Sequence, residues 1–286
     1  MSSTDSEHTV AVIVVTYNSA PVLGKCLDSL QRQTRAADRI VIVDNNSPDP
    51  GYLDLIPAGA PFELVRNRRN EGFCRANNTG YKLAMSCQYI LFLNPDAFVS
   101  NCFLDQALQW MERLENARVA CLTGTLLGFD VAASRATGRI DSTGIVQKWY
   151  GKWVDRAQGT PWDALAAGRG RPQDVPAACG ALMFCRTAAL QELAHVFEPS
   201  FFMYKEDIDL SVRLRARGWR IVYHPDLLCH HGRGWRGRAR MSYESRYLSA
   251  RNELRVCWRN QLRGLPYSLL KLAYVATLER WMQPRR

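Results

Sequence analysis

The chain holds 286 residues, 47% hydrophobic and 22% charged, with a formal net charge of +10. That length suits one large core or two small ones, and the even spread of charge excludes long disordered stretches. The positive excess favours an anionic partner, whether nucleic acid, a diphosphate or an acidic membrane surface.

Residues 1–8 are polar, with neither a basic nor an apolar segment, so no secretory signal is expected. No apolar run approaches the ~18 residues of a spanning helix, and a cytosolic chain is expected. The nine cysteines are scattered without a C-x-x-C pair and read as reduced core thiols.

In chain order, the β-branched run from Val10 to Val15 predicts a strand buried on both faces. Val22, Leu23, Cys26, Leu27 and Leu30 then mark one face of a helix. Arg39–Val43 is a second buried strand, Phe62–Val65 a short third, and Gly72–Met85 a loop running into a helix. Tyr89–Leu93 is a fourth strand, followed by a helix carrying Phe103, Leu104, Ala107, Leu108, Met111 and Leu114, with Ser100 or Asn101 as its expected cap. Val119–Leu122 restores a strand. From Gly124 to Ala178 the rhythm weakens and Trp149, Trp153 and Trp162 accumulate, which predicts a loop-rich insertion forming a substrate wall. Cys179–Cys185 is again a strand, a helix starts near Glu206 and ends before Gly218, and Arg220–Tyr223 is the last strand.

Strands alternating with amphipathic helices predict an α/β fold with an open, mostly parallel central sheet flanked by helices. Such sheets bind ligands beyond the carboxyl ends of their strands. The segments to watch are therefore Thr16-Tyr17-Asn18, Asp44-Asn45-Asn46-Ser47 and Asn94-Pro95-Asp96. The remaining tail is helical, basic and aromatic. Leu265, Leu269, Leu272, Val275 and Trp281 lie broadly along one side, with Lys271, Arg280, Arg285 and Arg286 supplying charge. Either packing on the catalytic domain or docking on an anionic membrane would use that side.

Two literal patterns are set aside. Cys229-His230-His231 lacks the second ligand pair of a zinc site. Gly232–Gly237 spells G-x-G-x-x-G, but Trp235 and Arg236 occupy the turn and no βαβ unit follows. It reads better as a flexible basic loop carrying Arg233 and Arg236. No nucleic-acid-binding module accompanies the arginines, so no nucleic acid is expected as partner.

Val14–Ser19, Val43–Ser47, Asn70–Phe73 with Ala76–Gly80, Leu93–Ala97 and Met203–Leu210 together resemble family 2 glycosyltransferases, in particular the rhamnosyltransferase-like branch of bacterial surface polysaccharide synthesis. The resemblance runs from about Val10 to Asn260. It implies a GT-A fold over residues 8–240, with a nucleotide-sugar half over 8–123 and an acceptor half over 124–240. Residues 241–286 form a basic amphipathic helical tail.

It further implies an inverting transfer from a nucleoside diphosphate sugar, dTDP-rhamnose first, to a saccharide or lipid-linked acceptor at the inner face of the membrane. Other hexosyl- or N-acetylhexosaminyltransferases using a UDP-sugar, and an inactive nucleotide-sugar-binding module, are the alternatives. Tyr17 would stack on the base, with Thr16, Asn18, Asp44, Asn45, Asn70, Gly72 and Asn94 around the nucleotide. Asp96 would hold a divalent cation, Mg²⁺ or Mn²⁺, although Asn94 stands where the family often has a first acid. His230 fits the histidine that helps bind the metal-diphosphate, with His231, Arg233 and Arg236 near the diphosphate and Trp149 and Trp153 near the acceptor. Asp207 would be the general base and Glu206 its orienting neighbour. Asp209 projects elsewhere and reads as a salt-bridge partner.

Overall fold

A computed structural model describes residues 8–166, 170–232, 241–260 and 262–281, without the side chains of 165 and 166. Strand β1 (Val10–Thr16) is buried at every position, as its β-branched run dictates. Helix α1 (Ala20–Gln31) begins with a proline in its first turn and buries Leu23, Cys26, Leu27 and Leu30. β2 (Arg39–Asp44) and the half-exposed edge strand β3 (Phe62–Arg66) follow, then α2 (Phe73–Ala84). Gly80 of α2 lies so close to the sheet that a Cβ there would sit 2.5 Å from Ile13. Next come β4 (Tyr89–Leu93), a three-residue β5 (Ala97–Val99) and α3 (Phe103–Met111).

The expected cap of α3 is corrected. Its N-cap is Cys102, with no side-chain bond of its own. Gln33, just beyond α1, serves instead, accepting from the Leu104 N–H at 3.0 Å while its amide donates to the carbonyls of Ser29 and Ser100.

The insertion is more ordered than its composition predicts. β6 (Val119–Asp130) runs straight through Gly124, and β7 (Arg135–Ser142), β8 (Ile145–Gln147) and β9 (Trp153–Asp155) follow, with a short α4 (Trp162–Ala166) and β10 (Gln173–Asp174). Then come β11 (Leu182–Arg186), α5 (Thr187–Gln191), α6 (Glu206–Arg215) and β12 (Arg220–His231), which extends eight residues beyond Tyr223. The ten-stranded sheet has the path β10-β12-β6-β11-β4-β1-β2-β3, with β5 on β12 and β7 on β6. β4-β1-β2-β3 and β6-β12 pair in parallel, while β11 enters antiparallel between β4 and β6. Nothing in a short apolar run states its direction, so that reversal is visible only in the fold.

One core joins the whole sheet. Phe92 meets Phe197 edge-on at 4.9 Å, and both are 1% exposed. Burying each such ring contributes roughly 2–3 kcal/mol. All nine cysteines are free and eight are buried, in keeping with core thiols.

The tail is a hairpin of α7 (Tyr243–Asn260) and α8 (Leu265–Tyr274), the latter continued by a π-helical turn over Val275–Glu279. Ion pairs Arg246–Glu279 and Lys271–Glu253 tie the two arms together. Val275 is fully buried, so that part of the expected membrane side packs inward instead. Asn252 of α7, also fully buried, donates from Nδ2 to the carbonyls of Met203 and Tyr204 at 3.0 Å each. Contacts therefore cross the expected division at residue 240.

Candidate active site

Parallel pairing sets Thr16 beside Asp44, and the loops after β1, β2 and β4 open into a cavity of about 990 Å³. Its wall includes Tyr17, Asn18, Asn45, Asn70, Gly72, Asn94 and Asp96. Tyr17 is 44% exposed, so its ring is not a packing element of the sheet edge. Three asparagines shape the floor. Asn45 Nδ2 donates to Asn70 Oδ1 at 2.8 Å, and Asn45 Oδ1 accepts from Asn67 Nδ2 and from the Glu71 N–H. Asn70 Oδ1 also accepts the Gly72 N–H. Gly72 takes φ +80 with Phe202 directly over it, where a Cβ would lie 2.6 Å away, so only glycine fits.

Thr16 and Asp44 are corrected as contacts of that cavity: both are fully buried and neither lines it. The Ser47 hydroxyl donates to Asp44 Oδ1 at 2.6 Å, Arg66 lies 3.5 Å from Oδ2, and the hydroxyls of Tyr52 and Thr16 are 2.9 Å apart. This network braces the loop from behind.

A second cavity of about 800 Å³ adjoins the first, sharing Phe73, Asn94, Asp96 and Met203 with it. Asp141, Trp153, Glu206, Asp207 and His231 line it, together with Ser242, Ser245 and Ser249 in and beside α7. The assignment of His230 beside Asp96 is corrected here. β12 pairs antiparallel with β5, His231 opposite Ala97 and His230 opposite Phe98, and side chains alternate along a strand. His231 therefore faces Asp96, Nε2 to Oδ1 at 3.5 Å, while its Nδ1 is 2.7 Å from Asp141 Oδ2. His230 turns to the edge of Phe129 and lines neither cavity. Burial pulls the His231 imidazole down, but the bonds and charges of Asp141 and Asp96 outweigh it and raise its pKa to about 9. Burial also pushes the Asp96 carboxyl up, and His231 outweighs that to hold it below the usual carboxylate range.

α6 starts from two consecutive left-handed residues, Tyr204 and Lys205, each at φ +72. That turn aims Glu206 and Asp207 into the second cavity. Asp207 accepts the Gly180 N–H at 3.0 Å through Oδ2 and the Ile208 N–H at 2.8 Å through Oδ1. Glu206 Oε2 is buried and has no hydrogen-bond partner among the described residues, and Asn94 Oδ1 and Trp153 Nε1 share that state on the same cavity. Burial raises both carboxyls, and Asp207 adds to the effect on Glu206, which reaches about 8. Backbone donors favour the charged form, so Asp207 is the ionised member of the pair and Glu206 the protonated one near neutrality. Asp209 instead pairs with Arg213 at 2.7 Å, as expected.

Glu206 thus makes stability depend on pH. The folded chain keeps a proton that a solvated glutamate releases near 4.5, so stability is full below that value and falls as pH rises through about 8. The Glu206→Gln variant is expected to show a shallower decline of Tm across that window in calorimetry. An unchanged slope would count against a buried, protonated Glu206.

Trp153 is 5% exposed on the cavity wall, whereas Trp149 is 81% exposed, meets Tyr150 edge-on and lines neither cavity, which corrects its placement near an acceptor. Arg233 and Arg236 lie outside the described residues. Sequence reasoning missed Asp141, Gly180 and Asn252. Asp141 is the penultimate residue of a strand with no apolar alternation, and the other two are ordinary residues in sequence.

Residues 11–159 match the family described as Glycosyl transferase family 2, and residues 89–282 match Glycosyl transferase family group 2. N-acetylglucosaminyl-diphospho-decaprenol L-rhamnosyltransferase of Mycobacterium tuberculosis is 25% identical over 277 residues, 88% of this chain and 87% of that protein. Glycosyltransferase EpsJ of Bacillus subtilis is 32% identical over 115 residues, and the match spans 39% of this chain and 33% of EpsJ. Among solved structures, GalNAc-T7 with UDP, GalNAc and Mn²⁺ superposes with a TM-score of 0.66 at 18% identity, over 89% of this chain and 48% of that one. The mannosyltransferase PcManGT of Pyrobaculum calidifontis with GDP-Man and Mn²⁺ gives 0.60 at 17% identity, over 98% and 77%. The path of the sheet, the cavities beyond its strands and these matches agree: the chain has the GT-A fold and belongs to glycosyl transferase family 2.

Proposed function

We propose that this enzyme is an inverting transferase that moves a sugar, rhamnose from dTDP-rhamnose, onto a hydroxyl of a lipid-linked saccharide. The observation that carries the reading is that Asp96 borders both cavities while Asp207 borders only the second. A donor lying across Asp96 would keep its nucleotide among Tyr17, Asn45 and Asn70 and turn its anomeric carbon towards Asp207. Asp207 takes the acceptor proton, the acceptor oxygen forms its bond to the anomeric carbon from the opposite face, and the carbon–oxygen bond to the diphosphate breaks. Glu206, kept protonated, adds no second negative charge to the approaching acceptor. Trp153 offers its unpaired indole N–H to an acceptor hydroxyl.

Asp96, together with His231 once its Nε2 has given up its proton, would be a donor set suited to a divalent cation, which keeps waters and takes further oxygens from phosphates. Among the described residues no cluster of three or more His, Cys, Asp or Glu is placed to hold a metal; water and the donor's phosphate oxygens would supply the other ligands. Such a cation supplies charge neutralisation at the leaving diphosphate. Asp141 then fixes which ring nitrogen of His231 is free to face Asp96.

The mycobacterial relative's name supports both the rhamnosyl donor and the polyprenyl-linked acceptor. No helix among the described residues is long and apolar enough to cross a membrane; the reading has such an acceptor met from the surface of the inner leaflet. Incubating the protein with a polyprenyl-diphosphate saccharide and dTDP-rhamnose, UDP-N-acetylglucosamine or GDP-mannose tests this. Diphosphate release with the rhamnosyl donor is expected, and turnover of another donor in its place overturns the sugar assignment. Removing the exposed ring in Tyr17→Ala is expected to weaken donor binding ~10-fold by calorimetry, the scale of one aromatic stack. Unchanged affinity would remove Tyr17 from the base site.

A further inference from the structure

Seven of the fifteen large apolar side chains that stand exposed among the described residues fall between Trp258 and Trp281. Single exposed leucines are ordinary on any surface; a contiguous set is not. Leu270, Tyr274 and Leu278 follow at four-residue intervals and Trp281 comes three later, with exposures of 73, 45, 55 and 82%. Leu262 and Trp258, at 66 and 69%, extend the set to the turn of the hairpin. The opposite side of the hairpin is spent on packing: Val256, Cys257, Ser268 and Val275 are buried. The tail thus has two apolar faces, and the protein uses only one.

Charge says what the other face meets. From Leu254 to Trp281 the sequence has one acid, Glu279, and it is bound by Arg246. Glu253, at the base of the hairpin, is buried against Lys271. Arg263 and Arg280 stand exposed along the apolar row. Two copies meeting face to face would bring these arginines together, which opposes self-association. An anionic surface with an apolar interior satisfies both features at once, and aromatic rings at the ends of the row suit its interface.

We propose that this outer face of α7–α8 docks the enzyme flat on an anionic lipid bilayer. The proposal rests on the lipid-linked acceptor read above, because Ser245 and Ser249 of α7 line the cavity that holds Asp207. Docked there, the mouth of that cavity opens beside headgroups, within reach of a saccharide whose lipid stays in the membrane.

The test is flotation of the full chain with vesicles of phosphatidylglycerol and phosphatidylcholine at low salt. The protein is expected to float with them, to bind pure phosphatidylcholine ~10-fold less, and to be released as salt rises. The Leu270→Glu/Leu278→Glu variant is expected to lose binding ~10-fold or more, with Tm and donor affinity kept. Arg263→Ala/Arg280→Ala, which leaves the apolar row intact, is expected to weaken binding only to anionic vesicles. A protein that stays unbound, equal binding to neutral vesicles, wild-type flotation of the Glu variant, or a dimer that the Glu variant dissolves would each overturn the proposal. Turnover on a water-soluble acceptor separates the two readings. Its absence in the unmutated enzyme removes the proposed transfer, while its retention in the Glu variant leaves that transfer standing whatever the vesicles show.

Discussion

The Asp207→Asn variant is expected to lose turnover by ~10² to 10⁴-fold, the range of a lost general base, with donor affinity nearly unchanged. The expectation follows from the turn that opens α6. Both oxygens of Asp207 accept backbone N–H groups, from Gly180 and Ile208, so the carboxylate is held rigidly at the cavity wall. An amide in its place must turn its NH₂ towards one of those donors, at a local cost of roughly 1–3 kcal/mol. A modest fall in Tm should therefore accompany the loss of rate, and the two must be measured together. The base also sets a pH limb. In the unmutated enzyme kcat/KM should rise with pH as Asp207 ionises, from a pKa that burial raises, and this limb should vanish in the variant. Diphosphate release in a single turnover is the measurement. A rate within a few-fold of the unmutated enzyme would leave Asp207 as nothing more than a helix-start acid.

For Asp96→Ala the expected result is a loss of ~10²-fold or more in turnover together with loss of the cation's effect on donor binding. The fold should tolerate the change. The Gly232 N–H donates to the main-chain carbonyl of Asp96 at 2.7 Å, a bond that alanine retains. His231 keeps Asp141 as its second partner. Donor titrations with Mn²⁺ and with chelator, before and after the substitution, give the answer. Equal donor affinity in both conditions for the unmutated protein would remove the metal from the reading altogether.

Much of this site was legible from order and periodicity. The buried runs of β1, β2 and β4 point to three loops, and all three line the first cavity, through Tyr17, Asn18, Asn45, Asn94 and Asp96. The burial of Thr16 and Asp44 behind that wall was not legible, because it depends on Ser47, Tyr52 and Arg66 closing over them. The choice between His230 and His231 is a question of strand parity. A slip of one residue exchanges the faces, and the register is set by pairings with β5 and β6, both distant in sequence. The insertion misled for a different reason. β7 exposes most of its first five residues, so no alternation marks it as a strand, although its last residues deliver Asp141 to the site. In the tail, spacing alone located an apolar side but could not say which residues the core would claim, and Val275 went inward while Leu270 and Trp281 stayed out.

Left-handed backbone at a non-glycine residue is costly, on the order of 1–3 kcal/mol, and persists where surroundings hold it. Tyr204 and Lys205 adopt it in succession, and the amide of Asn252 holds the entry to that turn by donating to the carbonyls of Met203 and Tyr204. The C-terminal hairpin is therefore no detachable accessory. Swapping it for the equivalent segment of a relative, or trimming it to improve handling, would release the pivot from which Glu206 and Asp207 project. A hybrid enzyme could then bind its donor normally and still be inert, unless the graft also restored an amide at position 252.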